Sequence, residues 1–341
     1  MIARWYASVA AIAGSACSLA VAESPFAARV VEYAPAPGQF VSNPVFNDPT
    51  RALGRPQGGG TSQPNNTSVV TLGGFGGSIT LAFDHTVMDD PLNPFGLDAI
   101  VFGNAYWVGG NRDRHWAECA TIEISLDANG NDLADDAWHI ILGSHLEWPT
   151  DDYALPTDLF GADVVVNPNA GTEVEGIYGY AEYAPTLLLG DTDADNLVDD
   201  FAVTPEMFYT VPDDPFEVGI TPGSGGGDAF DIAWAIDPLT GEPAHLSGFD
   251  FIRLTTAVDS VSPIFGEKSA EIDAVADVAP DPSGDADDDG DIDLADVATL
   301  QHCFGASLSM EPACEGLDRE GDTKVDLEDA RGVIVRITGP K

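Results

Sequence analysis

The chain of 341 residues carries 57 acidic against 13 basic side chains, a formal charge of −44, so nucleic acid and anionic membrane surfaces are repelled and no basic stripe exists to reverse this. The acid excess does not make a disordered chain, because 44% of the residues are hydrophobic and 9% aromatic, enough to bury a core. The length has room for one large core and one small module.

Residues 1–22 carry one positive charge at Arg4, an apolar run rich in Ala, Val and Ile, and Ala20-Val21-Ala22 before Glu23. This is the pattern of a signal peptide with an A-x-A cleavage site. The competing reading, a retained anchor, lacks a basic stop-transfer flank, and Gly14 stands where a lipobox around Cys17 needs a large aliphatic residue. No later stretch is long and apolar enough to span a bilayer. The sequence therefore predicts a protein secreted or held at the cell surface, with no integral membrane segment after cleavage.

Residues 23–279 read as strands and turns. Ile79, Leu81 and Phe83 alternate with Ser78, Thr80 and Ala82, and Ile122, Ile124 and Leu126 alternate with Thr121, Glu123 and Ser125; a period of two marks half-buried strands. Short runs at 99–102, 138–142, 249–255 and 271–278 continue the theme, separated by Pro91-Leu92-Asn93-Pro94, Gly223-Ser224-Gly225-Gly226-Gly227 and similar clusters. No long amphipathic helix interrupts them. Many short strands with Gly- and Pro-rich turns predict a β-sandwich.

One motif occurs twice in this domain. Asp127, Asn129, Asn131 and Asp135 stand at positions 1, 3, 5 and 9 of the first copy, and Asp191, Asp193, Asp195 and Asp199 at the same positions of the second; each copy ends in a further acid, Asp136 or Asp200. Alternating oxygen side chains at this spacing suit calcium, which takes six to eight oxygens at about 2.3–2.6 Å. Four carboxylates make the second copy the better ligand set. The alternative is a polar hairpin turn whose Asx side chains cap their own backbone.

The loop from Trp107 to Trp116 gathers basic and aromatic groups in a chain that has few of the former. Tyr106, Trp107, Asn111, Arg112 and Arg114 would form a shallow glycan site, an aromatic face stacking on sugar and the polar groups donating to hydroxyls. The alternative reading has the tryptophans packed on the sandwich. No catalytic constellation stands out. Pro222-Gly223-Ser224-Gly225-Gly226 lacks the first glycine of a nucleophile elbow and reads as glycine-rich linker, His-Glu-x-x-His is absent, and carboxylate pairs for glycoside hydrolysis cannot be singled out among 57 acids. Cys119, at the start of a strand, is predicted to be a buried structural thiol, because only His115 lies near it in sequence.

Residues 280–341 hold the strongest pattern. Asp285, Asp287, Asp289, Asp293 and Asp296 occupy positions 1, 3, 5, 9 and 12 of a calcium loop, with Gly290 at the sharp turn and the Asp291 carbonyl at position 7. Leu294, Val297, Leu300 and Phe304 follow at helical spacing, so the loop runs into a helix. The competing reading is a solvated acidic linker. A poorer copy places Asp318, Glu320, Asp322, Asp326 and Asp329 at the same positions, with Thr323 in place of the turn glycine and a second stripe at Leu327, Ala330, Ile334 and Ile337. Cys303 and Cys314 flank the connection between the copies, and export to oxidising surroundings predicts that they pair.

Two calcium loop-helix units in residues 284–338 resemble a dockerin type I module, a small α-helical domain that in its family docks secreted proteins onto a cohesin domain of a scaffold. Leu294-Ala295, Leu327-Glu328 and Gln301-His302 depart from the hydroxyl and basic residues usual in that family. In the large domain, Ala52-Leu53-Gly54-Arg55-Pro56, the run Leu72 to Leu81, Val101-Phe102-Gly103-Asn104-Ala105 and Glu271-Ile272-Asp273-Ala274-Val275 resemble exported bacterial cell-surface proteins, of a kind familiar from planctomycete-type bacteria, whose core is similar to galactose-binding-like jelly rolls. The resemblances imply a jelly-roll-like β-sandwich followed by a dockerin-like module, calcium as cofactor, and a cohesin-like or other surface scaffold and a glycan as partners. The expected function is glycan or cell-surface recognition without catalysis. The alternatives are a polysaccharide-active hydrolase carried by the same module and a structural envelope protein.

Overall fold

The computed structural model describes residues 24–91, 93–112, 115–141, 146–148, 176–178, 181–215, 219–257, 261–262, 266–278, 294–305, 317, 324–327 and 330. The chain divides into two compact units, one spanning 23–283 and one that includes 284–341.

The large unit is mainly β. Its strands are β1 (Arg29–Ala34), β2 (Val70–Thr71), β3 (Ser78–Met88), β4 (Ala99–Gly103), β5 (Tyr106–Trp107), β6 (His115–Trp116), β7 (Ala120–Ser125), β8 (His139–Ile141), β9 (Leu146–Trp148), β10 (Gly176–Tyr178), β11 (Asp228–Phe230), β12 (Ala235–Ile236), β13 (Gly248–Thr256), β14 (Val261–Ser262), β15 (Gly266–Glu267) and β16 (Glu271–Asp277). Six form one sheet in the order β1-β3-β13-β7-β8-β12, and four form a second in the order β11-β4-β16-β2. Their pairings are antiparallel. Up to β7 the main strands alternate between the sheets, which gives the β-sandwich expected from the sequence.

The apolar positions read in β3 and β7 are buried as expected, except Leu126, but Thr80 and Ala82 on β3 and Ser125 on β7 are buried with them, so the alternation is partial. Ile79, Leu81, Ile122, Ile124, Ile252 and Leu254 of the larger sheet pack against Val70, Val101, Ile272 and Val275 of the smaller one. Each such side chain contributes about 1.5–3 kcal/mol when fully buried. The smaller sheet is covered on its other face too: Ile100, Phe102, Ala274 and Ala276 meet Leu187, Phe208 and Tyr209 from the segment after residue 181. That segment carries the short helix α1 (Pro205–Phe208), capped by Thr204, whose hydroxyl accepts from the Met207 N–H. Double coverage explains why β4 and β16 are continuously buried rather than alternating. A register shift between Ile272 and Ala274 lets Ile272 and Val275, three residues apart, reach the same core.

Two of the glycine-rich runs are tightly packed. Gly223–Gly227, expected as linker, leads into β11 with Ser224 fully buried, its hydroxyl donating to the Val211 carbonyl and accepting from the Gly226 N–H. In Leu72–Gly77, a side chain at Gly77 would overlap the Leu72 carbonyl oxygen and the Ala36 backbone nitrogen, two atoms that hydrogen-bond to each other.

In the C-terminal unit, α2 (Leu294–Cys303) starts where the first ion loop was expected to run into a helix. Leu300 and Cys303 are buried there, as are Leu317, Val325 and Ala330, whereas Leu294 and Phe304 from the expected stripe are exposed. Cys303 is disulfide-bonded; Cys314, its expected partner, lies outside the described residues.

Gly76 and Gly77 separate two costs. Gly76 has φ +80° and open space around it, so Gly76→Ala is expected to cost about 1–2 kcal/mol of unfolding free energy, the left-handed penalty for a Cβ. Gly77→Ala meets fixed backbone and is expected to cost about 3 kcal/mol. Urea denaturation of the two variants checks the order.

Candidate metal centre at one end of the sandwich

The two Asx-rich loops of the large unit share one backbone conformation. In the loop between β7 and β8, the Asp127 carboxylate accepts from the Asn131 N–H (3.1 Å) and the Asp132 N–H (2.6 Å), and the Asn131 side-chain oxygen accepts from the Leu133 N–H (2.8 Å). In the other, Asp191 accepts from the Asp195 N–H (3.2 Å) and the Asn196 N–H (2.9 Å), and Asp195 accepts from the Leu197 N–H (2.8 Å). Positions 4 and 6 are left-handed in both: Gly130 (φ 67°) and Asp132 (58°), Ala194 (62°) and Asn196 (69°). The first side chain thus ties the turn together and the third and fifth are directed into it, the arrangement a cation loop needs.

The loops differ in charge and burial. Asp191, Asp193 and Asp195 bring one carboxylate oxygen each within 4.8 Å of one another, and Asp191 is fully buried. Burial raises Asp191, against the N–H groups of Asn196 and Asp195. In the first loop Asn129 and Asn131 donate to Asp135, and Asn129 also to Asp136. The Asp132 N–H is the main cause holding Asp127 below the usual carboxylate range. In both loops the Asx side chains cap their own backbone, as the alternative reading has it.

One Asp199 carboxylate oxygen accepts from the Thr192 N–H (3.1 Å) and hydroxyl (3.0 Å), which closes the loop base. Asp200 caps the Ala202 N–H.

The loop at 191–199 reaches the neighbouring segments through Asn196, whose side-chain oxygen accepts from the Thr61 N–H (2.7 Å). The Thr61 carbonyl in turn accepts from the Trp107 N–H (2.6 Å). Just before Thr61, the N–H groups of Gln57 and Gly58 donate to Asp273 on β16 (2.9 and 3.0 Å). A strap of five residues, 57–61, thus joins the loop, the sandwich and the ribbon formed by β5 and β6.

In that ribbon Trp107, expected at a glycan-contacting surface, is buried at 8% exposure. It packs edge-on to His115 (6.4 Å), and its backbone N–H donates to the Thr61 carbonyl of the strap. This is the packing alternative. Tyr106 stacks on Trp116 (6.1 Å, 14°), His115 stacks on Tyr183 (4.4 Å), and Asn111 and Arg112 are exposed. Arg114 lies outside the described residues.

Of the C-terminal ligand sets, Asp285, Asp287, Asp289, Asp291, Asp293, Asp318, Glu320, Asp322, Asp329 and the Asp296 side chain lie outside the described residues. Asp326 is half-buried, and its carbonyl accepts from the Ala330 N–H, as in a helical turn.

Several buried acids have no counterpart in the sequence reading. Asp98, together with Asp89 and Asp231, forms a second group of carboxylates within 4.8 Å. Asp98 accepts from the Asp90 N–H, the Asn93 amide and the Ile232 N–H, so it pins the start of β4 to two neighbouring turns. Asp228 accepts from the N–H groups of Tyr183 and Ala184. Glu118, Glu182, Glu271 and Asp273 are buried as well. The one sequence signal was acids inside apolar runs, as in Ala270 to Val278. Cys119 is the buried, free thiol expected, pushed well up by burial, with its Sγ donating to the Glu182 carbonyl.

No protein-family model matches the chain, and no curated protein sequence matches it.

Burial, opposed by backbone donors, pushes Asp98 and Asp228 up from 3.8 to about 8. The native state then holds protons that the unfolded chain releases above its ordinary carboxylate pKa. Their contribution to stability is full below about pH 4, is lost as pH rises toward 8, and changes no further above it. Urea denaturation in chelator should show stability falling between pH 5 and 8. Asp98→Asn, which cannot titrate, should flatten that fall by up to about 1.4 kcal/mol per pH unit; an unchanged slope would remove Asp98 as a cause.

Proposed function

We propose that the chain is an exported, calcium-binding recognition protein that contacts a glycan or cell surface through one end of its sandwich and is tethered through its C-terminal dockerin-like module. The observation that carries this reading is the shared conformation of the loops at 127 and 191, with three carboxylates grouped in the second. A calcium ion there would neutralise Asp191, Asp193 and Asp195 and hold Asn196 against Thr61, and thereby steady the ribbon that carries the half-buried Tyr106–Trp116 stack and the exposed Asn111 and Arg112. The burial of Trp107 narrows the contact surface to those groups. The tether reading is supported by the helix that follows the Asp285 loop and by the disulfide at Cys303, with a cohesin-like or other surface scaffold protein as its partner.

Retention of the full chain on a panel of insoluble polysaccharides, with and without chelator, tests the reading when the same tubes are assayed for released sugar. Saturable retention that chelator abolishes, without sugar release, is the expected result. Release of sugar would establish the hydrolase instead, and absence of retention on every glycan would leave the structural envelope role.

A further inference from the structure

A further set of oxygen donors lies inside the large unit, away from the exposed loops. Three segments distant in sequence supply it: Gln39 ahead of β2, Glu118 ahead of β7, and Glu271 at the start of β16. Gln39 is 6% exposed, Glu118 2% and Glu271 4%. The Gln39 amide nitrogen donates to Glu118 Oε2, and the Asn104 amide donates to Glu271 Oε2 at 2.6 Å. The remaining oxygen of each side chain, Gln39 Oε1, Glu118 Oε1 and Glu271 Oε1, has no hydrogen-bond partner among the described residues. Lys268, three residues before Glu271, is completely buried and its Nζ also has no partner.

This departs from the rule for interiors, in which buried polar atoms are paired and buried charges neutralised. Of the nine buried side-chain atoms without a partner among the described residues, four belong to Gln39, Glu118, Lys268 and Glu271. Glu118 is raised by burial and next by repulsion from Glu271, with Lys268, the Gln39 amide and the Ser269 backbone N–H opposing; Glu182 is raised by burial, then by Glu271 and Glu118. Glu182 is engaged through the Glu271 N–H, which donates to its Oε2 at 2.7 Å. Four buried acids, counting Asp228, thus stand against one ammonium. Either protons or a cation must supply the missing positive charge.

The donors decide which cation fits. Two carboxylates and an amide oxygen are hard ligands, suited to calcium with its flexible geometry, and the nearby Cys119 thiol, pushed up by burial, offers no thiolate for a softer metal. We propose that Gln39, Glu118 and Glu271 form an internal site for a hard divalent cation, calcium in the first place, that stitches the N-terminal segment to β16 and to the approach to β7. Gln39 supplies its amide oxygen, and the two glutamates supply the oxygens that their bonds to Gln39 and Asn104 leave over. Its occupancy is independent of the exposed loops.

The test loads the full chain with calcium, passes it through calcium-free buffer, and counts the metal retained by elemental analysis. Glu118→Gln combined with Glu271→Gln is expected to carry one calcium equivalent fewer than the unmodified chain. Asp191→Asn with Asp193→Asn and Asp195→Asn should keep that equivalent, whatever those substitutions do at the exposed loop. Equal metal content in the unmodified chain and the double glutamine variant would overturn the proposal in favour of neutralisation by protons. Should the double variant fail to fold, anomalous scattering from crystals of the unmodified chain soaked in terbium decides: a peak among Gln39, Glu118 and Glu271 supports the site, and peaks confined to the acidic loops overturn it.

Discussion

The smaller sheet has no solvent face, and much of the large unit follows from that constraint. β4 and β16 are covered on one side by the larger sheet and on the other by the segment after residue 181. Any polar side chain on them must therefore find its partner inside the protein. On β16, Asp273 takes the N–H groups of Gln57 and Gly58, and Asp277 pairs with His85 at 2.9 Å. The acids of this strand act as anchors that draw irregular segments onto the sandwich.

The same economy shapes the part of the large unit where the loop at 191, the strap at 57–61 and the ribbon at 106–116 meet. Backbone groups that no strand pairs are taken up by side chains from distant positions: Asn196 serves Thr61, Asp273 serves Gly58, and Asn104 serves the Asn65 N–H. Order in one loop is thereby linked to order in the next. A cation at Asp191 would act on the ribbon through two successive hydrogen bonds, without touching it.

What the sequence disclosed divides along physical lines. Period-two alternation located β3 and β7, and apolar runs located β4, β8, β13 and β16, because strand burial leaves a local mark. The spacing of Asp127 to Asp135 and Asp191 to Asp199 found two loops that do share a conformation, since ligand alternation and backbone capping both depend on residues close in sequence. Long-range partners left no such mark. That Trp107 is buried and that Gly223–Gly227 is packed rather than free depend on neighbours brought together only by the fold. The buried acids at 98, 118, 182 and 228 were hidden for another reason: among 57 acidic residues, composition cannot separate the few inside from the many outside.

The central claim is that a cation held by Asp191, Asp193 and Asp195 steadies the end of the sandwich through Asn196, Thr61 and Trp107. Amide hydrogen exchange of the full chain, measured with calcium and with chelator, tests it most directly. The account predicts that calcium slows exchange at the Thr61 and Trp107 N–H groups together with those of Asp195 and Asn196. Protection confined to the loop, or exchange indifferent to calcium throughout 191–199, would contradict it.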